Sequence, residues 1–248
     1  AERRQRREAH NKVQELMGNI RVVLRIRPAS QHAAEQKDLS VQSGPAGSNR
    51  VHVIGNDGTR SGDFVFDKVF GSSDDQITVF DEVSDLVQSA LDGYKVCIFA
   101  YGQTGSGKTY TMQGAEKDCE GIIPRALSSI FLKAEDMRQT GWAVTVKASF
   151  LEVYNEELHD LLRTSREGGG APGSPKPKHA IVDDEVWGTI VPDIKPIEVS
   201  SIGHMKVLMA QAAKQRSVGS TLMNEDSSRS HYVFALYLTG LNRRDNSQ

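Results

Sequence analysis

A glycine-rich segment in the middle of the chain constrains the fold more than any other feature. Residues 102–109 read GQTGSGKT, which is a glycine, four residues and then Gly-Lys-Ser/Thr. An apolar run at 96–101 precedes the segment, and Tyr110-Thr-Met112 follows it, so the pattern lies between a predicted strand and a predicted helix. Glycines let a backbone turn tightly and direct consecutive N–H groups at a polyphosphate. The segment therefore predicts a phosphate-binding loop, with a glycine-rich turn that binds nothing as the alternative.

The chemistry of such a loop gives its residues separate roles. Lys108 would reach the β- and γ-phosphates of a nucleotide, and the Thr109 hydroxyl would ligate Mg²⁺. The first turn of the following helix would add unpaired N–H groups and the positive end of the helix dipole. We expect eight consecutive residues to form the cradle, namely Gly102, Gln103, Thr104, Gly105, Ser106, Gly107, Lys108 and Thr109.

Composition and charge narrow the class of protein. The 248 residues suffice for one large domain or two small ones, and the net charge of −2 predicts no strong field that would attract nucleic acid or an anionic membrane. No apolar stretch has membrane-spanning length. Cys97 and Cys119 lack the spacing of a disulfide scaffold or a zinc site. We therefore expect a soluble intracellular protein with no nucleic-acid partner and no membrane insertion.

Helical and strand patterns alternate along the chain as in an α/β domain. Ser73-Asp-Asp-Gln76 has the form of a helix capping box, and the run at 96–101 is apolar on both faces, which predicts a central, buried strand. The periodicity also predicts helices at 2–17, 124–139, 156–162 and 201–216, strands at 20–27, 40–42, 51–54, 64–66, 142–153, 180–182, 189–191 and 232–238, and an exposed loop at 166–178.

The N-terminal helix has two interpretations. Ala9, Val13 and Leu16 follow one another at spacings of four and three, and Gly18 is a natural helix end. The helix is either the last part of a longer coiled coil or a helix that packs on its own domain.

A polar segment near the C-terminal end could contact the same nucleotide as the phosphate loop. Residues 224–231 read NEDSSRSH and precede an apolar strand. The hydroxyls of Ser227 and Ser228 can reach a γ-phosphate or a Mg²⁺-bound water, Asn224 can donate to phosphate, and Arg229 can hold the segment closed. A segment that γ-phosphate orders and hydrolysis releases is the switch device of such enzymes, whereas an ordinary surface turn is the alternative.

Taken together, these segments resemble a kinesin motor domain. Residues 99–112, FAYGQTGSGKTYTM, resemble the family signature almost residue for residue, and 224–231 resemble its first switch loop. RIRP at 25–28, FVFDKVF at 64–70 and FLEVYNE at 150–156 resemble further motifs in the family's order. The resemblance covers residue 19 to the end of the chain.

The resemblance implies an α/β fold of the P-loop nucleoside-triphosphatase class, with a central mixed β-sheet and helices on both faces. It also implies that ATP or ADP binds with Mg²⁺. Arg25, Arg27 and Pro28 would line the adenine pocket, with Tyr110 at the base-stacking position. In the polar segment, Asn224 would help to hold the phosphate, Ser227 and Ser228 would contact γ-phosphate with Ser228 near the Mg²⁺ shell, and Arg229 would pair with a glutamate of a second switch.

The function implied by this resemblance is an ATP-hydrolysing motor that moves along microtubules in the cytoplasm. HNKVQELMGNIRV at 10–22 resembles the neck-to-motor junction of kinesins with a C-terminal motor, which are minus-end-directed and have a coiled-coil neck, although Met17 departs from the usual lysine. The expected division is a neck helix at 1–18, which would pair with a partner helix, and a motor domain at 19–248.

The second switch of the family, Asp-Leu-Ala-Gly-Ser-Glu, does not occur in the sequence. Residues 118–121 and 181–185 imitate it, but both precede the first switch, and neither follows an apolar strand of sufficient length. We therefore expect the chain to be part of a motor that lacks its C-terminal portion. The competing hypothesis is a kinesin-like module that binds nucleotide or tethers microtubules without turnover. A GTPase is disfavoured because no Asn/Thr-Lys-x-Asp guanine motif is present.

Overall fold

The computed structural model describes residues 2–28, 39–45, 48–55, 58–115, 119–163, 179–185, 188–222 and 230–243. The chain divides into two compact units, Ala1–Ala126 and Leu127–Gln248. Among the helices within these described ranges, none combines the length and the apolar character needed to cross a membrane.

The first unit combines helices with two small sheets. Strand β1 pairs in parallel with β5, and β2, β3 and β4 form an antiparallel meander. Its elements are α1 (Glu2–Leu16), β1 (Val23–Arg25), β2 (Leu39–Ser43), β3 (Arg50–Gly55), β4 (Arg60–Val65), β5 (Lys68–Phe70), α2 (Gln76–Leu91), α3 (Lys108–Met112) and the first turn of α4 (Ile122–Gln139). The predicted N-terminal helix is confirmed, whereas the strand predicted over 20–27 is reduced to three residues.

Helix α2 begins two residues later than the capping box predicts. Asp75 is the N-cap, and its carboxylate accepts a hydrogen bond from the Thr78 backbone N–H at 2.8 Å. This bond, together with a second from the Thr78 hydroxyl, lowers the pKa of Asp75 below its ordinary value of 3.8. Ser73 is not the cap, because an acceptor one residue before the helix lies closer to the free N–H groups of the first turn.

The buried core of the first unit joins β5, α2 and α4. Phe70, Val79 and Ile122 form a cluster against which Ile98 and Met112 pack. Because Ile98 precedes the phosphate loop and Met112 ends α3, both sides of the loop pack against the same apolar cluster.

The prediction of a buried central strand at 96–101 is wrong in this structure. The run forms neither a helix nor a strand among the described residues, and the side chains of Phe99 and Tyr101 are 78% and 95% exposed. Apolar residues on both faces indicate that a segment tends to be buried. A β-strand, however, forms only where an adjacent strand pairs with its backbone N–H and C=O groups.

A long antiparallel ladder dominates the second unit. Strands β6 (Trp142–Tyr154) and β11 (Ser230–Asn242) pair along thirteen residues each, from Tyr154–Ser230 to Trp142–Asn242. Both strands exceed their predicted lengths. The other elements are the rest of α4, β7 (Glu157–Asp160), β8 (Val182–Asp184), β9 (Gly188–Ile190), β10 (Ile197–Glu198) and α5 (Ile202–Leu222).

The helix predicted at 156–162 is wrong, because the chain reverses there in a hairpin. Asn155 and Glu156 have φ values of 51° and 66°, and β7 returns antiparallel to β6 with Tyr154 opposite Glu157. Two residues with positive φ form the tight turn whose twist matches paired strands. Leu158 therefore lies on β7, and Leu161 and Leu162 follow directly after it.

Both the ladder and α5 contribute fully buried residues to the second unit. Ala148, Phe150, Met205 and Ala212 have no exposed side-chain surface, and the rings of Phe150 and Phe234 are tilted by 39° with their centres 4.8 Å apart. Met205 is therefore part of the core. The predicted loop at 166–178 lies outside the described residues.

Candidate functional site

Three glycines of the predicted phosphate loop have positive φ values, namely 156° at Gly102, 79° at Gly105 and 100° at Gly107. Gly107 has φ +100° and is the N-cap of α3, a conformation that strains any residue with a Cβ atom. At Gly102, a Cβ atom would lie 2.6 Å from Ser106 Oγ. The Ser106 N–H donates to Gln103 O at 3.1 Å, which closes the turn. The loop is therefore a tight, glycine-dependent structure.

Helix α3, which follows the loop, has only five residues. Its N-terminal dipole is weaker than the sequence-based expectation, since a macrodipole grows with the number of aligned peptide units. Direct backbone N–H groups and Lys108 must then supply most of the attraction for a phosphate.

The ammonium of Lys108 lies across the loop itself. Its Nζ donates to Gly102 O at 2.8 Å and to Gln103 O at 2.9 Å. Thr109, the predicted Mg²⁺ ligand, is exposed at the start of α3. The lysine is therefore held by backbone carbonyls of the loop itself.

Two arginines of the RIRP segment contact the loop region. Arg25 Nη1 donates to Gln76 Oε1 at 2.8 Å and to Thr111 Oγ1 at 3.0 Å, and its guanidinium lies 5.2 Å from the Tyr110 ring centre. Arg27 Nη1 donates to Gly105 O. The structure thus places Arg25 against the Tyr110 ring, and a hydrogen bond connects Arg27 to the backbone of the phosphate loop.

Gln76 is a central residue of this site that sequence reasoning missed. The side chain is only 4% exposed, and its Nε2 donates to Tyr110 O at 2.7 Å and to Cys119 O at 3.3 Å, while its Oε1 accepts from Arg25. In the predicted capping box, the Gln76 side chain would instead bond to the backbone at the N-terminus of the helix. The available signal is that Gln76 shares the buried face of α2 with Val79 and Val87.

A pair of glycines behind α3 was also missed. Gly114 forms an antiparallel bridge with Glu120, and a Cβ atom at Gly114 would lie 2.2 Å from Cys119 O and 2.3 Å from Gly121 N. Backbone therefore packs directly on backbone at this point. The contact fixes where the chain leaves α3 and enters α4.

A cavity of about 850 Å³ in the first unit adjoins the loop, a volume within the usual range of small-molecule sites. Its lining does not include residues 102–105 or Thr109. The predicted site residues that do line it are Arg25, Arg27, Pro28, Ser106, Gly107, Lys108 and Tyr110.

The predicted residues of the polar segment, Asn224, Ser227, Ser228 and Arg229, lie outside the described residues. Their flanks are described, since α5 ends at Leu222 and β11 begins at Ser230. In β11, burial raises the pKa of the Tyr232 hydroxyl well above its ordinary value, and Arg216 opposes this shift.

Comparison with known proteins agrees with this geometry. The family model for the kinesin motor domain matches residues 25–248. The chain belongs to the kinesin motor family. Kinesin-like protein KIN-14D of Arabidopsis thaliana is 46% identical over 253 residues, covering 98% of this chain and 32% of the relative. Kinesin-like protein KIFC1 of Rattus norvegicus is 42% identical over 257 residues, covering 95% and 36%. This chain thus spans about a third of the length of such relatives.

Solved kinesin structures share the fold. The C-terminal motor and motor homology domain of Kar3Vik1, fused to a synthetic heterodimeric coiled coil, is 37% identical with a TM-score of 0.78, covering 99% of this chain and 62% of that one. The motor domain of the Saccharomyces cerevisiae kinesin-related protein Kar3 is 37% identical with a TM-score of 0.73, covering 93% and 68%. These matches confirm the kinesin-type P-loop fold and the resemblance to kinesins with a C-terminal motor.

Proposed function

We propose that this chain is the ATP-hydrolysing part of a minus-end-directed microtubule motor. The observation that supports this function most directly is the phosphate loop, in which glycine-dependent turns place Lys108 Nζ within 2.9 Å of the loop's own carbonyls. A cation held by weak neutral acceptors can exchange them for phosphate oxygens, which form stronger, charge-assisted hydrogen bonds.

The phosphate-binding roles follow the motif. Residues 102–107 would donate backbone N–H groups, Lys108 would bind the β- and γ-phosphates, and the Thr109 hydroxyl would hold Mg²⁺, which would neutralise charge on the transferring phosphate. The polar segment completes the proposed site with Asn224 and Ser227 at phosphate, Ser228 at γ-phosphate and the Mg²⁺ shell, and Arg229 as the residue that holds the segment closed.

The adenine side of the proposed site is formed by Arg25, Arg27, Pro28 and Tyr110. The guanidinium of Arg25 already covers the Tyr110 ring at 5.2 Å, and this ring is 42% exposed. Its exposed part offers a surface on which a base can stack.

The division into a neck helix at 1–18 and a motor domain at 19–248 belongs to the same proposal. Val13 and Leu16 are 53% and 77% exposed, whereas another face of α1 contacts α2 through polar groups, such as His10 Nε2, which lies 3.1 Å from Ser89 Oγ. The free apolar stripe fits a partner helix in a coiled coil, while the polar face keeps α1 on its own domain. Both interpretations of the helix are thereby combined. The motor would work on tubulin in the cytoplasm.

Microtubule-stimulated ATPase activity of the full-length protein tests the proposal. We expect Lys108→Ala to lower stimulated turnover by about 100-fold or more, because the charge that stabilises the transferring phosphate is lost. Lys147→Ala, which removes an exposed lysine from β6, is the matched control and should leave turnover unchanged. Gliding of polarity-marked microtubules over immobilised protein gives the direction of travel.

Nucleotide binding with no microtubule-stimulated hydrolysis in the full-length protein would refute the motor and establish instead a module that binds nucleotide or tethers microtubules without turnover.

A further inference from the structure

The two arginines of the RIRP segment contact different parts of the nucleotide-binding region. Arg25 ends β1 and is partly buried, and its guanidinium lies 5.2 Å from the Tyr110 ring centre. Arg27 follows two residues later and is exposed, and its Nη1 donates to the carbonyl of Gly105 in the phosphate loop. One arginine therefore contacts the proposed base side of the site, and the other contacts the backbone of the phosphate side.

The backbone next to Arg27 is anchored in the core of the first unit. Arg25 pairs with Phe70 in the parallel β1–β5 ladder, and the Ile26 N–H donates to Phe70 O at 2.9 Å. Phe70 is 2% exposed and belongs to the buried cluster of this unit. Arg27 therefore reaches the loop from a backbone whose position is set by the core.

Two cationic side chains hold three carbonyl groups of the phosphate loop. Lys108 Nζ donates to Gly102 O at 2.8 Å and to Gln103 O at 2.9 Å, and Arg27 donates to Gly105 O. The lysine of the motif thus holds the start of the loop. Arg27, which the motif does not include, holds its middle.

The peptide unit between Gly105 and Ser106 is held at both of its ends. A trans peptide unit is planar, so its C=O and N–H groups point in opposite directions. The C=O accepts from Arg27, and the N–H, which belongs to Ser106, donates to Gln103 O at 3.1 Å. Gly105 has φ +79°, and no atom would lie within 4 Å of a Cβ atom there. The hydrogen bond from Arg27 therefore restrains a residue that would otherwise have wide conformational freedom.

We propose that Arg27 is a positioning residue for the phosphate loop, acting through the Gly105 carbonyl, in addition to its place on the adenine side. This role rests on the proposed ATPase function. A loop whose peptide units are already oriented loses less conformational entropy when it binds a phosphate chain, so its affinity rises without a new contact to the ligand. The effect does not require a base, which separates it from any contact between Arg27 and adenine.

Affinity for a phosphate chain without a base tests this role in the full-length protein. Displacement of a fluorescent ATP analogue, whose own affinity is first measured for each variant, gives the binding of magnesium tripolyphosphate, MgADP and MgATP. We expect Arg27→Met to weaken all three by about tenfold, the loss typical of a hydrogen bond to a charged group. Tyr110→Ala should weaken MgADP and MgATP but leave tripolyphosphate binding unchanged. Arg138→Met removes an exposed charge paired with Glu135, and as the matched control it should change none of the three affinities.

Hydrogen exchange of the Ser106 amide separates positioning from a direct attraction between Arg27 and phosphate. In protein freed of nucleotide, we expect Arg27→Met to speed this exchange by a similar factor, because the bond to Gln103 O opens more often. Direct attraction of the ligand would leave the exchange unchanged.

Three outcomes would refute the role of Arg27. They are an unchanged tripolyphosphate affinity in Arg27→Met, an unchanged exchange rate of the Ser106 amide in the same variant, and a wild-type protein that binds ATP but no tripolyphosphate. A Lys108→Ala variant that keeps its affinity for both tripolyphosphate and ATP would instead refute the phosphate loop, and with it the proposed ATPase function.

Discussion

The phosphate-loop region and the β6–β11 ladder are stabilised in opposite ways. In the ladder, regular backbone pairing over thirteen residues covers a core that includes the fully buried Phe150. Around the phosphate loop, residues 96–107 form no helix or strand, and the order comes from glycine turns and from side chains that bond to backbone. Gln76 and Arg25 are the principal links there.

This difference shows where each region is vulnerable. A ladder distributes its stability over many similar contacts and is damaged chiefly by a cavity in its core. The loop region depends on a few positions with special backbone or polar requirements, so single-atom changes there should matter. Regular structure provides the frame, and irregular structure provides the ligand-binding groups.

The largest expected effect is a loss of stability in the core of the β6–β11 ladder. Phe150→Ala should lower the free energy of unfolding by about 3–5 kcal/mol, because it leaves a cavity in the core beside Phe234, the residue opposite it in the ladder. Phe64→Ala, at a side chain 52% exposed on β4, is the control and should cost much less. Urea unfolding measures both. Equal losses for the two variants would show that the ladder core is not the better packed environment.

The next effect tests the close backbone packing behind α3. Gly114→Ala should destabilise the protein by about 2–5 kcal/mol, since the new Cβ meets two backbone atoms at 2.2 and 2.3 Å and φ is +84°. Gly58→Ala has a similar φ of +76° but no atom within 4 Å, so it should cost only about 1–2 kcal/mol. Thermal and urea unfolding separate the two contributions. Similar losses would mean that strain alone, and not packing, makes Gly114 essential.

A smaller effect is expected at the polar link of the site. Gln76→Ala should cost about 1–3 kcal/mol, because Tyr110 O loses its buried donor and Arg25 loses an acceptor. Nucleotide affinity, measured by calorimetry, should fall as well, since Arg25 and Tyr110 are both freed. Gln139→Ala, at the exposed end of α4, is the control. An unchanged affinity would separate Gln76 from the site.

The smallest effect concerns the exposed cap of α2. The pKa of the Asp75 carboxyl should lie below 3.8, because the Thr78 backbone N–H and hydroxyl stabilise the ionised form. A lowered pKa means that the cap stabilises the fold fully above pH 3.8 and that this contribution is lost as the pH falls through the folded-state pKa. NMR titration of the carboxyl carbon measures it. Thr78→Val should recover part of the shift, and a wild-type midpoint at or above 3.8 would contradict the assigned cap.

Much of the local structure could be predicted from periodicity, and the failures have physical causes. The helices predicted at 2–17, 124–139 and 201–216 correspond to α1, α4 and α5, and the predicted capping box lies at the start of α2. The helix predicted at 156–162 failed because Asn155 and Glu156 adopt positive φ, which a propensity argument does not anticipate. The strand predicted at 96–101 failed because pairing depends on neighbours that are distant in sequence.

The sequence by itself determined the phosphate loop, the order of the kinesin motifs and hence the family, because these depend on residue types at fixed spacings. Only the tertiary structure decided that Gln76 links Arg25 to Tyr110 and that Gly114 packs on Gly121. It likewise decided that Arg216 reaches Glu152 and Ser230 across 64 and 14 residues. Such contacts depend on how separate elements are brought together in space, and spacing along one segment carries no record of them.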